Sequence, residues 1–259
     1  MTSMTAGAAA LVGYLAGSLS MARLVVRLAA PGQRAREGID VALDGSDKTF
    51  RLGTVSASSV SVQLGARYGF VTYLLDVLKV FLPVLIFKLA LPGSQVFLVA
   101  AVAGLVGHCW PVWHRFRGGR GISAVYAGLL AIDWLGFLVT SLGGALLGFV
   151  ILRDMLSAYL ASVLLIIPWI WFRTHDTGYL AYALVVNAIF LAAMIPEIRR
   201  WIVIRREKQW DDVTEVMQLS GMGRGLLRLA NKLGWIRKEV RTPRPLDADR
   251  PPSDESDAG

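Results

Sequence analysis

Charge and cysteine are both scarce in this chain. Only 18% of its 259 residues are charged, against roughly a quarter in ordinary soluble domains. Its one cysteine, Cys109, excludes an internal disulfide and any multi-cysteine metal site, and reads as a small buried residue. Acidic residues are the scarcer sign, 19 against 27 Lys and Arg, which leaves a net charge of +8. No basic leader precedes the first apolar run, and Arg23 stands inside it. That run therefore reads as a retained span, not a cleaved signal. There is no internal repeat of the kind secondary transporters carry, and ionisable residues within apolar runs are too few for an ion-coupled carrier.

What the chain has in quantity is hydrophobic sequence: 54% of its residues, with a mean hydropathy of +0.52. Apolar runs cover residues 6–30, 70–90, 96–112, 122–132, 134–152, 158–172 and 179–195. Most approach the roughly 20 residues of a helical span, and 122–132 is short for one. Lipid cannot satisfy the edges of an open sheet, so the expected fold is all-α, a polytopic bundle of about seven transmembrane helices. With the amino terminus outside and the carboxyl terminus inside, residues 23–67, the loop 115–120, Arg153 and the tail all fall inside. The outer loops then keep almost no Lys or Arg beyond Lys88 and Arg173, as the positive-inside rule requires. Orientation and the anionic headgroups of membrane lipids account for the positive charge, and nucleic acid is not implied. Three regions follow: a bundle over 1–196 with a polar cytoplasmic insertion at about 31–68, a basic amphipathic region over 197–241 suited to a membrane surface, and a proline- and acid-rich tail over 242–259 expected to be disordered.

Between the third and fourth runs lies Gly107-His108-Cys109-Trp110-Pro111-Val112-Trp113-His114-Arg115-Phe116-Arg117-Gly118-Gly119-Arg120-Gly121. Glycines let a backbone turn tightly and approach a ligand. Where such a loop enters a helix, unpaired amides at the positive end of the helix dipole favour a phosphate. The competing reading is a plain membrane-edge turn whose arginines set orientation. His108 also has two readings, a general base or a packing residue hydrogen-bonded to a carbonyl. Asp76 and Lys79 lie three apart, hence on one helix face. Ionisable residues within a span point to function, although a mutually neutralising structural pair fits the same spacing. Small residues in the first run, Gly13, Gly17 and Ser18, allow close helix approach. The stretch 53–61 is small and hydroxyl-rich; Ser56, Ser58, Ser59 and Ser61 can supply donors to a polar ligand or simply form a loop.

Together these segments resemble the bacterial acyl-phosphate:glycerol-3-phosphate acyltransferase family, small polytopic membrane proteins that make lysophosphatidic acid. The family pattern Gly-His-x-x-Pro-x-x-x-x-Phe-x-Gly-Gly-Lys-Gly is met by Gly107, His108, Pro111, Phe116, Gly118, Gly119 and Gly121, with Arg120 in place of the lysine. That exchange keeps the charge and turns a point donor into a planar fork. Tyr14, Leu15, Gly17 and Ser18 match Tyr-Leu-x-Gly-Ser, and Leu75, Asp76 and Lys79 match Leu-Asp-x-x-Lys. The similarity spans about residues 13–200. The chain departs from the family at Gly-Ser-Gly-Asn-x-Gly-Ala-Thr-Asn, which falls on residues 51–59, with Ala57 identical and Ser58 conservative; Thr54 and Ser59 replace the asparagines. After Arg153 the family's serine comes one residue late, as Ser157, and the closing His-Arg-x-Asn-x-x-Arg reads Met194 to Arg200 here, without histidine or asparagine.

The resemblance implies a glycerol-3-phosphate acyltransferase of the bacterial plasma membrane, its active face cytoplasmic, serving phospholipid biosynthesis. Its substrates would be acyl phosphate and glycerol 3-phosphate, with no metal or cofactor. Under it Gly118, Gly119, Arg120 and Gly121 cradle a phosphate, and Lys79, Arg153 and Arg199 bind substrate phosphate. His108, Ser58 and Ser59 are the catalytic candidates, while Gly107, Pro111, Phe116, Gly17, Ser18 and Asp76 hold the frame. The alternative is a divergent relative that binds an anionic lipid or acylates a different acceptor.

Overall fold

Small residues set the spacing at the centre of the bundle. A computed structural model describes residues 3–37, 39–43, 49–152, 155–206, 218, 221–232, 234, 239–241 and 243–245. Helix α1 (Ser3–Gly17) lies directly on α5 (Val96–Cys109). A Cβ at Gly13 would strike the carbonyl of Ala100, one at Gly17 that of Gly104, and one at Gly107 that of Tyr14. Three side chains are thus omitted along one seam, the small-residue packing that lets helix backbones touch within a membrane. Around this pair stand α4 (Ala66–Ala90), α6 (Ile122–Ile132), α7 (Trp134–Ala145), α8 (Met155–Leu164), α9 (Ile166–Thr174) and α10 (Thr177–Arg206). One continuous apolar core joins Val80, Leu105, Leu129, Ile166, Val186 and Phe190.

Five helical stretches are long and apolar enough to cross a membrane: Ser3–Ala29, Ala66–Ala90, Val96–His114, Leu156–Thr174 and Thr177–Arg199. Two shorter apolar helices, Ile122–Ile132 and Trp134–Gly148, occupy the fourth and fifth expected spans. The all-α membrane bundle is as expected. The first run, however, is not one helix. It breaks after Gly17, and α2 (Met21–Ala29) starts afresh from Ser20. The carbonyl of Leu19, freed by the break, accepts a hydrogen bond from Lys79 Nζ at 2.6 Å.

At the junction of α6 and α7, Lys88 Nζ donates to the carbonyls of Ala131 and Ile132, closing the end of α6. Asp133 then caps α7 through the amide of Leu135 and accepts from Trp169 Nε1 at 2.9 Å. Burial opposes ionisation of Asp133, but the hydrogen bonds from Trp169 and Arg173 outweigh it and hold its pKa below the usual carboxylate range. A depressed folded-state pKa stabilises above the ordinary value and loses that contribution as pH falls through the folded one. Asp133→Asn is therefore expected to lower thermal stability at neutral pH and to flatten its decline on acidification. Melting curves in detergent at pH 7 and pH 3 check this.

The 31–68 insertion carries β1 (Ile39–Leu43), β2 (Thr49–Leu52) and the short helix α3 (Ala57–Leu64). Beside β1 lies β3 (Pro243–Pro245), in the order β2-β1-β3, with Ala42 opposite Arg244. Proline has no N–H for a ladder and is tolerated at an edge, where β3 lies. Part of the segment expected to be disordered thus pairs with the insertion. Helix α11 (Gly221–Lys232) belongs to the region expected to be basic and amphipathic, and one of its leucines, Leu227, is buried. The remaining positions of 246–259 lie outside the described residues.

Candidate active site

The glycine-rich loop is built by its own hydrogen bonds. The amide of Phe116 donates to the carbonyl of Pro111 and that of Arg117 to the carbonyl of His114, which folds residues 111–117 back on themselves. Arg115 and Phe116 take left-handed backbone conformations, with φ of 52° and 58°; such values are uncommon outside glycine. Tyr14 Oη donates to the carbonyl of Trp110 at 3.0 Å, pinning the start of the loop to α1. The amide of Gly119 donates to the carbonyl of His108 at 3.0 Å, bringing the loop back against the end of α5. That return leaves no room for side chains. A Cβ at Gly118 would run into the carbonyl of His108, and one at Gly119 into His108 Nε2. Gly121, with φ of +90°, then serves as the N-cap of α6, and no side chain caps that helix.

Among the described residues, the amides of Gly118, Arg120 and Gly121 and of the first turn of α6 meet no acceptor. Only the Gly119 amide is used by the protein. A helix N-terminus carries about half a positive charge, and free donors in that place have the chemistry that favours an anion.

These donors open onto a cavity of about 690 Å³ between α1, α2, α3, α4, α5 and α6. At its polar end Lys79 Nζ is 2.7 Å from Asp76 Oδ1, and both side chains are almost wholly buried. The pairing joins the functional and structural readings of these two residues, because the same ammonium also holds the Leu19 carbonyl. One of its three donors is left for a ligand. His108 Nδ1 lies 4.0 Å from Asp76 Oδ1, and no carbonyl accepts from its ring among the described residues. His108 Nδ1, Ser18 Oγ and Ser61 Oγ are all buried on this cavity without a hydrogen-bond partner. Buried polar atoms are rarely left so, and these three belong to residues that line one space.

Of the residues singled out in the sequence, Gly17, Ser18, Ser58, Asp76, Lys79, His108, Pro111, Gly118, Gly119, Arg120 and Gly121 all line the cavity. Gly107 supports it from behind, against Tyr14 and Ser18. Ser59 does not line it. Its hydroxyl donates to the carbonyl of Ser56 and accepts from the Ser56 amide, each at 2.8 Å, closing the capping box of α3. Phe116 is 58% exposed and Arg199 is exposed on α10; neither lines the cavity. Arg153 lies outside the described residues. The sequence reading missed Arg23, Tyr73, Tyr126 and Tyr159, which also line it. Tyr73 stands three before Asp76 and shares its helix face, a signal that was available. Tyr159 arrives from α8, and no local pattern ties it to the loop. Among the described residues, no group of three or more His, Cys, Asp or Glu side chains could hold a metal ion.

All five of the long apolar helical stretches contribute to the lining of this cavity, so the fold is that of an integral membrane bundle with unpartnered amides at one end of its pocket. The family model described as Glycerol-3-phosphate acyltransferase matches residues 7–204, so the chain belongs to the glycerol-3-phosphate acyltransferase family. A glycerol-3-phosphate acyltransferase of Hyphomonas neptunium is 33% identical over 186 residues, 71% of this chain and 82% of the relative. Another, from Prochlorococcus marinus, is 29% identical over 188 residues, covering 73% and 86%. Among solved structures, PlsY, an integral membrane glycerol 3-phosphate acyltransferase, superposes with a TM-score of 0.61 in its lysophosphatidic acid form and 0.62 in its glycerol 3-phosphate form. In each the identity is 24%, covering 77% of this chain and 93% of PlsY.

Proposed function

We propose that this protein transfers an acyl group from acyl phosphate to the hydroxyl of glycerol 3-phosphate, releasing inorganic phosphate and lysophosphatidic acid, at the cytoplasmic face of the bacterial inner membrane. The observation that carries the reading is the set of unpartnered amides at Gly118, Arg120 and Gly121 leading into the uncapped start of α6. The phosphate of the donor lies on these amides, with the charge of Arg120 beside them. The acceptor hydroxyl attacks the acyl carbon, the bond from that carbon to the phosphate oxygen breaks, and phosphate departs. Because phosphate is already a good leaving group, no covalent enzyme intermediate is needed. Catalysis then rests on positioning two substrates and on donors placed where charge gathers on the leaving group.

His108 Nδ1 takes the proton lost by the acceptor hydroxyl, and Asp76 faces the same ring atom. His108→Gln is accordingly expected to lower kcat by about a hundredfold, the lower range for a general base, with KM for both substrates nearly unchanged. Steady-state rates on purified protein check the split. Glycerol 3-phosphate enters among Ser18, Ser58 and Ser61, with the free donor of Lys79 toward its phosphate. The fourth and fifth crossings are made by α6 and α7, giving seven in all with the amino terminus outside. Basic residues at 23, 27, 115, 117 and 120 support that orientation.

The test is direct: purified protein in detergent with acyl phosphate and glycerol 3-phosphate. Lysophosphatidic acid and phosphate appearing in equal amounts is the expected result. Binding of acyl phosphate without product would overturn it in favour of a lipid-binding relative.

A further inference from the structure

The family similarity ends at residue 204, yet the cavity does not. Gly225 and Leu229, both on α11, are part of its wall. They lie four apart and so share one helix face, and among the described residues α11 brings no charged or hydrogen-bonding side chain to the cavity. Helix α11 rests against α4, whose lining residues toward its N-terminus are Ala66, Gly69, Phe70 and Tyr73. Ala66 and Phe70 with Gly225 and Leu229 make this part of the lining apolar, while Asp76 and Lys79 stand six and nine residues beyond Phe70 along α4 and the free amides and His108 come from α5, α6 and the loop between them.

The helix is held in place by a set of buried contacts. Leu227 is 3% exposed. Arg224, also buried, donates to the carbonyl of Gln218 at 2.7 Å, and Gln218 Oε1 accepts from the amide of Arg241 at 2.7 Å. Two residues further on, β3 pairs with β1 of the insertion. The insertion is tied to the mouth of the cavity in turn, because Glu37 pairs with Arg23, which lines it. Insertion and tail therefore hold α11 against the bundle together.

We propose that α11 supplies the wall that meets the hydrocarbon chain of the acyl donor, and that Gly225 and Leu229 set which chain lengths are accepted. This rests on the acyl-phosphate reading above. Gly225 is the more informative position, because a Cβ there would meet nothing within 4 Å. A side chain can be added without displacing protein, and it would occupy space the substrate uses. Leu229 is 53% exposed and can be shortened without opening the core.

The experiment compares kcat/KM for hexadecanoyl phosphate and decanoyl phosphate with glycerol 3-phosphate in wild type, Gly225→Trp and Leu229→Ala. In Gly225→Trp the long-to-short ratio is expected to fall at least about tenfold, the discrimination one or two methylenes give in a hydrophobic pocket. In Leu229→Ala the ratio is expected to move the other way. An active Gly225→Trp enzyme with an unchanged ratio would overturn the inference, as would a loss equal for both chains with KM for glycerol 3-phosphate raised, which would place α11 against the acceptor. Should the wild type turn over neither donor, the acyl-phosphate reading itself fails, and the two failures are told apart. Circular dichroism and thermal melting of each variant show that the bundle is intact.

Discussion

Gly119→Ala is expected to lower lysophosphatidic acid formation by two to three orders of magnitude without unfolding the bundle. The added methyl group would collide with His108 Nε2. Either the ring swings away or the loop lifts off the end of α5, breaking the bond between the Gly119 amide and the His108 carbonyl. The first outcome removes the ring from the cavity, and the second displaces the free amides at 118, 120 and 121 from the position they share. Removing one preorganised donor from an anion-stabilising site costs about 10²–10³ in rate, and here several move together. Gly7→Ala is the matching control, since a Cβ there meets nothing. Initial rates and melting temperatures of the two variants make the comparison. Loss of stability as large as the loss of rate would reassign Gly119 to the frame.

Lys79→Met is expected to show the largest stability loss among single substitutions in the bundle. Asp76 would be left buried without its cation, and the Leu19 carbonyl at the helix break without its donor. Removing one member of a buried pair costs about 3–5 kcal/mol, mostly from the stranded charge. Adding Asp76→Leu to Lys79→Met is expected to recover much of that stability while activity stays low. Ser18, which lies in the break beside Leu19, would still lose the contact that holds its segment. Denaturation midpoints of the single and double variants decide it. Equal stability of wild type and Lys79→Met would show that the ammonium is free for substrate and not bound to the frame.

The sequence disclosed the bundle because burial in lipid is written residue by residue, and the seven runs reappear as helices or parts of helices. The glycine-rich loop was legible for the same local reason. Its glycines sit where a side chain cannot, and the spacing from Gly107 to Gly121 is fixed by one turn of chain. What escaped notice depended on contacts between distant segments. The broken first run is stabilised from sixty residues away by Lys79, and nothing within residues 6–30 announces that donor. Ser59 looked equivalent to Ser58, but only a helix starting at Ala57 makes one of them the capping-box partner of Ser56 and leaves the other on the cavity. The pairing of Pro243–Pro245 with Ile39–Leu43 joins a stretch that reads as a polar insertion to one that reads as a disordered tail.

The central claim is that the loop amides grip a phosphoryl group, and amide resonances of the protein in detergent test it most directly. With glycine labelled by nitrogen-15, a non-hydrolysable acyl phosphonate is titrated in. Gly118 and Gly121 are expected to shift downfield and saturate together, while Gly119, already bonded to His108, moves little. Saturable binding of the phosphonate with Gly118 and Gly121 unmoved would contradict the account.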